Sequence, residues 1–599
     1  MPNKKLRKRE EISQEYKWAI EDMYANDQDW QEDFDKVAIK AKNCEEYAGR
    51  LATSPEILAE YLKLYWETSE VVERVYVYAN QKSHENLGNT VYQGLSGKAQ
   101  NLMILLSSSN SFFEPEILEM NEDKILSFIE ANEFLKQHEK IFKDILRKKE
   151  HILTKEMEEL LAKTEEIGSA SGDIFTLFNN ADLKFPEIKG EDGNKTELTH
   201  GRYISFMESE NREVRKEAFF AMYKTYEKFK NTLAAVYNAS VKKDVFFAKA
   251  RKYNTAREAA LDGGNIPLSV YDNLINTVND HLYLMHEYVK IRKEALEVEE
   301  LHMYDLYAPM VKDAKPLVSF EEAKKIVKKG LAPMGEEYLK VLQEGYDNGW
   351  IDVYENEGKR SGAYSWGAFG VHPYVLLNYQ NTLNNTFTLA HEMGHAIHSY
   401  YSDKNQPYAL AGYRIFVAEV ASTCNESLLI HHLIKNTKDK KEKAYLINYF
   451  LEQFRGTLFR QTMFAEFEKI THEMVENGEI LTDENLCQIY MDLNLKYFGE
   501  GMTVDKDIAM EWARIPHFYN AFYVYQYATG FSAAIALSKK IMENGESAVH
   551  DYMKFIKGGS SKDPIDLLKD AGVDMSSSDP IKAAMETFRE LLGQIKTEE

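Results

Sequence analysis

The stretch LAHEMGHAIHSYY, residues 389–401, holds the most informative pattern in the chain, because its HEMGH segment fits the form H-E-x-x-H. On an α-helix, residues four positions apart lie about 40° apart around the axis, so His391 and His395 point from one face, one turn apart. Two imidazoles placed in this way can bind one Zn²⁺ ion. Glu392 lies beside them, where it can take a proton from a water molecule on the metal. The stretch therefore predicts a helix that carries a metal site.

The surrounding residues favour a buried metal site over a helix with histidines on its surface. Residues 374–406 contain no proline, and Asn384, Asn385 or Thr386 is expected to cap the start of the helix. The flanking side chains are apolar, and an imidazole buried among them needs a polar partner or a metal. A five-residue match also arises by chance in a chain with 16 histidines, so other segments have to support it.

The next helical segment, residues 412–434, offers a third ligand. Glu419 follows His395 by 24 positions, a separation that suits a helix, a loop and an antiparallel return. A catalytic zinc site has three protein ligands and one open position, which favours Glu419 over a merely solvated carboxylate. Glu426, two turns further on the same face, is expected to accept the free N–H of a ligand histidine. His398 is the competing ligand, or else a residue that supports the ligands.

A third segment, RIPHFYNAFYVYQYATGFSAA at residues 514–534, combines His517 with four tyrosines. Hydrolysis of an amide by an activated water creates an oxyanion, and a histidine N–H or a tyrosine hydroxyl aimed at that oxygen lowers the barrier. His517 and one or two of the tyrosines are the candidates, whereas the others are expected to pack in the core. The candidate tyrosines are Tyr519, Tyr523 and Tyr525.

The pattern of the rest of the chain predicts consecutive helices, interrupted by two short β regions. Glycine (31) and proline (13) are scarce in 599 residues, which favours long helices over a β-rich fold. A hairpin is predicted at 183–200, around the turn EDGN. Short strands are predicted in WIDVYE, AYSW and YVLLNY, within residues 350–379, directly before the HEMGH helix. A chain this long is expected to form two or three lobes.

Charge and composition exclude several classes of protein. The net charge of −23 has the wrong sign for a nucleic-acid binder or a protein that binds anionic membranes. Three widely spaced cysteines suit a reducing compartment and no disulfide framework. The basic first residues lack the apolar run of a signal peptide, and no stretch of about 18 apolar residues predicts a transmembrane helix. The expectation is a cytoplasmic protein; the sequence does not indicate its oligomeric state.

Taken together, these segments resemble the M3 family of zinc metallopeptidases, in its oligoendopeptidase F branch. The similar segments are LAHEMGHAIHS, VAEVASTCNE, IPHFYNAFYVYQYATGFSAA and, in the β region, GKRSGAYSWGAFGVHPYVLLNY. The resemblance implies a mostly α, two-lobed, zincin-type enzyme with a small sheet beside the HExxH helix and a deep internal channel. It implies an N-terminal helical region at 1–114, a helical oligoendopeptidase F N-terminal domain at 115–185 and a catalytic domain at 186–599.

For the site, the resemblance implies one Zn²⁺ ion held by His391, His395 and Glu419, with Glu392 as general base. It also implies His517 and a nearby tyrosine as transition-state donors. The choice among Tyr519, Tyr523 and Tyr525 stays open, because the interval after the histidine is shorter here than in thimet-oligopeptidase-like relatives.

The predicted function is cytosolic hydrolysis of internal peptide bonds in short, unstructured oligopeptides. An extended substrate is expected to pair with an exposed strand edge near HPYVLLNY, residues 372–379. One alternative is a helical HExxH carboxypeptidase or peptidyl-dipeptidase, which uses the same zinc chemistry but holds a chain terminus. The other is a helical binding scaffold in which the HExxH pattern has no catalytic role.

Overall fold

The structure, a computed structural model, describes residues 6–311 and 316–598, apart from the side chains of Lys155, Thr597 and Glu598. Most of these residues are helical, as the sequence predicts. In the first half of the chain the helices are α1 (Asp27–Asn43), α2 (Pro55–Glu85), α3 (Thr90–Ser109), α4 (Phe113–Glu119), α5 (Glu122–Ala131), α6 (Glu133–Gln137), α7 (Glu139–Arg147), α8 (Lys155–Leu177), α9 (His200–Met207), α10 (Arg212–Glu227), α11 (Lys230–Ala250), α12 (Ala256–Asp262), α13 (Leu268–Asp280) and α14 (Leu282–Ala295).

In the second half the helices are α15 (Phe320–Gly330), α16 (Gly335–Asp347), α17 (Leu383–Asn405), α18 (Tyr408–Ala411), α19 (Ile415–Asn436), α20 (Lys440–Gln453), α21 (Arg460–Glu476), α22 (Asp483–Phe498), α23 (Tyr525–Asn544), α24 (Glu546–Ile556), α25 (Pro564–Asp570) and α26 (Asp579–Glu598). The strands are β1 (Glu187–Lys189), β2 (Lys195–Glu197), β3 (Leu301–His302), β4 (Ile351–Asp352), β5 (Tyr364–Trp366), β6 (Tyr374–Leu376) and β7 (Met502–Thr503). Among the described residues, no helix is both long and apolar enough to span a membrane.

The chain forms two compact units, each assembled from separate parts of the sequence. Unit 1 comprises Met1–Glu150, Lys315–His432 and Leu537–Gly572. Unit 2 comprises His151–Ala314, Leu433–Ala536 and Val573–Glu599. The predicted domain boundaries at 114 and 185 divide the sequence differently and stay predictions.

Unit 2 contains two of the small sheets. Strands β1 and β2 form the antiparallel hairpin predicted at 183–200, in the register Glu187↔Glu197. Gly193 supplies the left-handed backbone of its turn, at φ +77°. Strands β3 and β7 pair in parallel, although some 200 residues of sequence separate them.

The third sheet lies in unit 1, and all three predicted strands take part in it. Its order is β4-β6-β5, with β6 parallel to β4 and antiparallel to β5. Strand β6, which lies within HPYVLLNY, is the central strand and is hydrogen-bonded on both sides, so it has no edge that a substrate could pair with. Pairing of a substrate with another strand edge near HPYVLLNY stays a prediction. The outer strand beside it is β5. Strand order depends on tertiary packing, which the alternation of residues within one strand does not reveal.

The segment from residue 18 to residue 106, which carries no recognisable motif, packs on this sheet within unit 1. Trp18 and Trp30 lie in a buried cluster with Val75 of α2 and with Tyr374 and Leu376 of β6. Burial of such large aromatic side chains contributes much of the stability of a core. The N-terminal helices thus support the sheet that directly precedes α17.

Candidate metal centre

Helix α17 carries the HEMGH segment and begins slightly earlier than the sequence indicates. Its N-cap is Thr382, whose Oγ1 accepts the backbone N–H of Asn385 at 3.2 Å. The expected caps Asn384, Asn385 and Thr386 are therefore wrong, since all three already lie inside the helix. Asn385 instead helps to fix the start of the helix, because its amide oxygen accepts the backbone N–H of Gln380 at 2.9 Å.

The apolar residues that flank the histidines hold α17 firmly in the core of unit 1. All five are fully buried, and they are Leu389, Ala390, Met393, Ala396 and Ile397. By contrast, the side chains of His391 and His395 are 25% and 17% exposed. The histidines are thus held by a buried helix and still reached by solvent, as a catalytic metal site requires.

The structure brings His391, His395 and Glu419 together. The Nε2 atoms of the two histidines lie 3.2 Å apart. Glu419 Oε2, on α19, lies 3.3 Å from His391 Nε2 and 3.5 Å from His395 Nε2. Two imidazole nitrogens and one carboxylate oxygen therefore converge on a single point, which is the donor set of many catalytic metal sites.

Glu426 lies behind His391, where the sequence places it. Its Oε1 contacts Nδ1 of His391, so the Nδ1 proton is held by this carboxylate and the Nε2 lone pair is left for a metal. Burial lowers the pKa of His391, but the carboxylates of Glu419 and Glu426 outweigh it and raise that pKa well above its usual value. The metal-free site therefore holds a proton that a metal ion has to displace.

Glu392 is buried and adjacent to the ligand group. Only 7% of the residue is exposed. Burial raises the pKa of its carboxyl above the usual value, while His391 and His395 oppose this shift. A carboxylate whose pKa is moved toward neutrality is well matched to receive a proton and to return it.

The glycine of HEMGH allows α17 and α19 to approach closely. A Cβ at Gly394 would lie 2.5 Å from Cα of Ser422, a distance that no relaxed structure contains. Nearby, Asn425 Nδ2 donates to the carbonyl of Ala390 at 3.1 Å, and Tyr338 donates to Asn425 Oδ1 at 2.8 Å. These buried contacts fix α19 against α17 and thereby place Glu419 beside the histidines.

We expect Gly394→Ala to weaken both the fold and the site, because the added methyl group forces α17 and α19 apart. The free energy of unfolding should fall by about 1–3 kcal/mol, and the metal content per chain should drop. Gly97→Ala is the matched control, since Gly97 lies in α3 with nothing within 4 Å of its added Cβ. Denaturant unfolding and metal analysis measure both effects; equal stability of the two variants would contradict the close-approach argument.

His398 lies on the same helix but is not part of the converging group. Its ring stacks on Tyr413, with centroids 3.8 Å apart, and contacts Phe555. Burial, with a smaller contribution from His395, lowers its pKa to about 3. The group of potential ligands found among the described residues is His391, His395 and Glu419. The structure therefore gives His398 a packing position behind the site.

In unit 2, His517 lies in a short turn, Pro516–Tyr519, and groups with two tyrosines. Its Nε2 lies 3.4 Å from the hydroxyl of Tyr527, and its ring lies nearly parallel to that of Tyr523 at 6.3 Å. The sequence pattern did not predict a role for Tyr527, which lies in the first turn of α23 with its ring 5.5 Å from that of Tyr523.

The other two candidate tyrosines pack elsewhere in unit 2. Tyr519 stacks on Phe175 with ring centroids 4.3 Å apart. Tyr525 is buried against Tyr271 at 5.0 Å. Burial raises the pKa of both phenols. Tyr523, by contrast, has its ring beside that of His517.

A buried glutamate fixes the segment between His517 and Tyr523. Phe522 has a left-handed backbone, at φ +56°, which is strained for a bulky residue. Its N–H donates to Oε1 of Glu468, a fully buried residue of α21, at 3.0 Å. The sequence offered no signal for this contact, because Glu468 is 54 positions away.

The donor set fits a metal ion of the zinc type. Nitrogen ligands from two imidazoles, one carboxylate oxygen and a partly exposed face match a catalytic site with one open position. With a carboxylate base next to the ligands, a mostly helical protein of this kind belongs to the class of metal-dependent hydrolases.

Comparison with known proteins identifies the family. The chain matches peptidase family M3 over residues 205–587 and the family described as oligopeptidase F over residues 116–185. It is 51% identical to oligopeptidase PepF of Bacillus subtilis (strain 168) over 588 residues, covering 98% of this chain and 88% of that protein.

Two crystal structures are similar throughout. A Chlamydophila abortus protein has a TM-score of 0.94 and 34% identity, covering 99% of this chain and 100% of the other. Oligoendopeptidase-F from Enterococcus faecium has a TM-score of 0.74 and 38% identity, covering 96% and 99%. The chain therefore belongs to peptidase family M3, and the family and fold class predicted from its motifs are confirmed.

Proposed function

We propose that this peptidase is a zinc-dependent endopeptidase that cleaves internal bonds of short, unstructured oligopeptides in the cytosol. The observation that carries the proposal is the convergence of His391, His395 and Glu419 beside the buried carboxyl of Glu392. The names of the similar proteins, oligopeptidase and oligoendopeptidase, support an oligopeptide substrate.

In the proposed reaction, the protein's own side chains orient the metal ligands and move the proton. Zinc, when bound by the two histidines and Glu419, supplies a Lewis acid that acidifies water and polarises a carbonyl. Glu426 holds the Nδ1 proton of His391, so Nε2 faces the metal position. Glu392 takes a proton from the attacking water and delivers it to the leaving amine.

The free side of β5 is the proposed support for the substrate backbone. The N–H of Val375 donates to Trp350, on the β4 side of β6, so Tyr374 and Leu376 turn their backbone groups toward β5. Their partners on β5, Trp366 and Tyr364, direct their backbone N–H and C=O groups toward β6. Because this direction alternates along an antiparallel strand, Ser365 directs its N–H and C=O away from β6, toward the outer side of β5. An extended peptide can pair with such an edge with little demand on its sequence.

The proposed roles of His517 and a nearby tyrosine predict how His517→Ala and four Tyr→Phe substitutions change kcat. If the group around His517 stabilises the oxyanion, His517→Ala lowers kcat by a factor on the order of 10²–10³. Tyr523→Phe or Tyr527→Phe should then cost more than Tyr519→Phe or Tyr525→Phe. The rings of the first two lie beside His517, whereas Tyr519 stacks on Phe175 and Tyr525 packs against Tyr271. Steady-state kinetics on one peptide decides; equal losses in all four would contradict the assignment.

The pKa of His391 predicts how zinc binding depends on pH. Because neighbouring carboxylates raise this pKa, the metal-free site is protonated below it, and zinc affinity should rise with pH until the pKa is passed. At neutral pH, binding should release about one proton per ion. Calorimetry in buffers of different ionisation enthalpy measures the release; zinc binding without proton release would contradict the prediction.

The experiment that tests the proposed function is cleavage mapping with controlled metal content. The purified protein is treated with a chelator, reloaded with zinc and given a mixed library of oligopeptides. The proposal expects activity to disappear, to return with about one zinc per chain, and to yield cuts at internal bonds. A carboxypeptidase or peptidyl-dipeptidase would instead cut at a fixed distance from a free terminus, and a binding scaffold would give no cleavage.

A further inference from the structure

A cavity of about 600 Å³ lies within unit 1, beside the helix that carries the metal ligands. Its walls come from α2, from β5 and the loop after it, and from α17 to Tyr413. Tyr413 forms one boundary: its ring covers His398, and its hydroxyl lies 3.1 Å from Ser399 Oγ. Burial raises the pKa of this phenol to about 12; the hydrogen bond with Ser399 opposes the shift, and the charges of Asp403, Glu419 and Glu392 add to it. Ser399, which lines the cavity, lies one helical turn after His395 on α17, so the cavity adjoins the metal centre.

Two carboxyl groups line the cavity, and neither forms a direct ion pair in the part of the chain that the structure describes. Arg74, whose positive charge acts on Glu73, pairs with Glu70, and Glu73 itself accepts a hydrogen bond from the backbone N–H of Phe369. Glu73, on α2, has its Oε2 buried without a hydrogen-bond partner. Asp403, two turns after His395 on α17, lies close enough for the charge of Glu73 to act on it. Burial raises the pKa of both groups, that of Asp403 to about 7. Holding two carboxyl groups mostly out of water without a directly paired cation costs free energy, and a cation that enters the cavity reduces that cost.

The remaining walls are aromatic and suit a long cationic side chain. Trp66, Trp366 and Tyr408 line the cavity as partly exposed rings. Ring faces attract ammonium and guanidinium groups, and they also pack against the methylene stem of lysine or arginine. The negative charge of the two carboxyls would repel an anionic ligand, and a purely apolar ligand would leave them without a cation.

The position of the cavity matches a residue of a substrate that lies along β5. Ser365, whose backbone groups turn outward, is also part of the cavity wall. His395, Ser399 and Asp403 share one face of α17, and eight residues of helix span about 12 Å. Because an extended peptide advances about 3.3 Å per residue, a side chain roughly two to four positions from the cleaved bond reaches the acidic pair.

We propose that this cavity is a substrate subsite that binds the cationic side chain of a lysine or arginine residue, with Asp403 and Glu73 as its counter-ions. The inference rests on the proposed peptidase function and adds a specificity to it. The same chemistry is present in a free α-amino group, which the experiment separates from the side chain.

The test uses zinc-loaded protein and a series of nine-residue peptides blocked by N-acetyl and C-amide groups. One lysine is moved through the sequence and compared at each position with norleucine, its uncharged counterpart. In the wild type, kcat/KM should favour lysine by about tenfold or more at one position, while neighbouring positions show no preference. Asp403→Asn and Glu73→Gln should reduce that ratio toward one. Asp551→Asn and Glu321→Gln, which change surface residues of unit 1, are the matched controls and should keep it.

Three results would overturn the proposal that the cavity binds a lysine or arginine side chain. A lysine-to-norleucine ratio near one at every position in the wild type overturns it, whether or not the variants fold. A ratio that persists in both cavity variants overturns it as well. A preference that appears only when the α-amino group is unblocked assigns the cavity to the chain terminus and overturns the side-chain proposal. Failure of the proposed function looks different, because the zinc-loaded wild type would then cleave none of the blocked peptides.

Discussion

Glu392→Gln should reduce kcat by a factor on the order of 10³ while the protein still binds one zinc ion per chain. The amide has nearly the same size as the carboxylate but cannot accept a proton from water. Glu392 is buried, but among the described residues no hydrogen bond or ion pair joins its side chain to another helix or strand. The substitution should therefore leave the fold intact. Steady-state kinetics on a blocked oligopeptide, together with zinc analysis of the same preparation, measures the two quantities.

The control for this variant is Glu321→Gln, which makes the same chemical change on the surface of α15. It should retain wild-type activity. A Glu392→Gln enzyme with more than a small fraction of wild-type kcat would show that another group serves as the base. Loss of zinc along with activity would make Glu392 a ligand or a support for the ligands.

Glu419→Ala should remove zinc and activity together. Its Oε2 is the one carboxylate oxygen in the converging group, within 3.5 Å of both histidine nitrogens. Without it, two imidazoles hold the ion with one ligand fewer than catalytic zinc sites use, and affinity should fall by at least about 100-fold. Competition with a chromogenic chelator measures the affinity, and activity is followed in parallel.

His398→Leu separates the two possible third ligands. His398 packs between Tyr413 and Phe555, so leucine should keep much of the packing and zinc should remain bound. Zinc that stays in Glu419→Ala and is lost from His398→Leu would show that His398, not Glu419, completes the site.

The parts of the fold and site that follow from local patterns could be predicted from the sequence. The helical period and the absence of proline gave α17, and the need for a third ligand pointed to Glu419, which the structure places beside the histidines. Helix periodicity alone left His398 as a competing third ligand. Its position away from His391, His395 and Glu419 depends on packing against Tyr413 and Phe555. Those contacts come from other elements and leave no mark on the spacing within α17.

Features set by distant parts of the chain could not be predicted in this way. The central position of β6 results from pairing with strands on either side. The position of Tyr523 and Tyr527 beside His517 depends on the left-handed backbone of Phe522, which Glu468 holds from another helix. The acidic cavity likewise combines Glu73 with Asp403, 330 positions later in the sequence.

The most direct test of the central claim is product analysis of a terminally blocked oligopeptide by mass spectrometry, with zinc removed and restored. The account predicts no cleavage without metal, cleavage at an internal bond with about one zinc per chain, and no cleavage by zinc-loaded Glu392→Gln. Cleavage that continues in the metal-free protein, or that needs a free terminus, would contradict it.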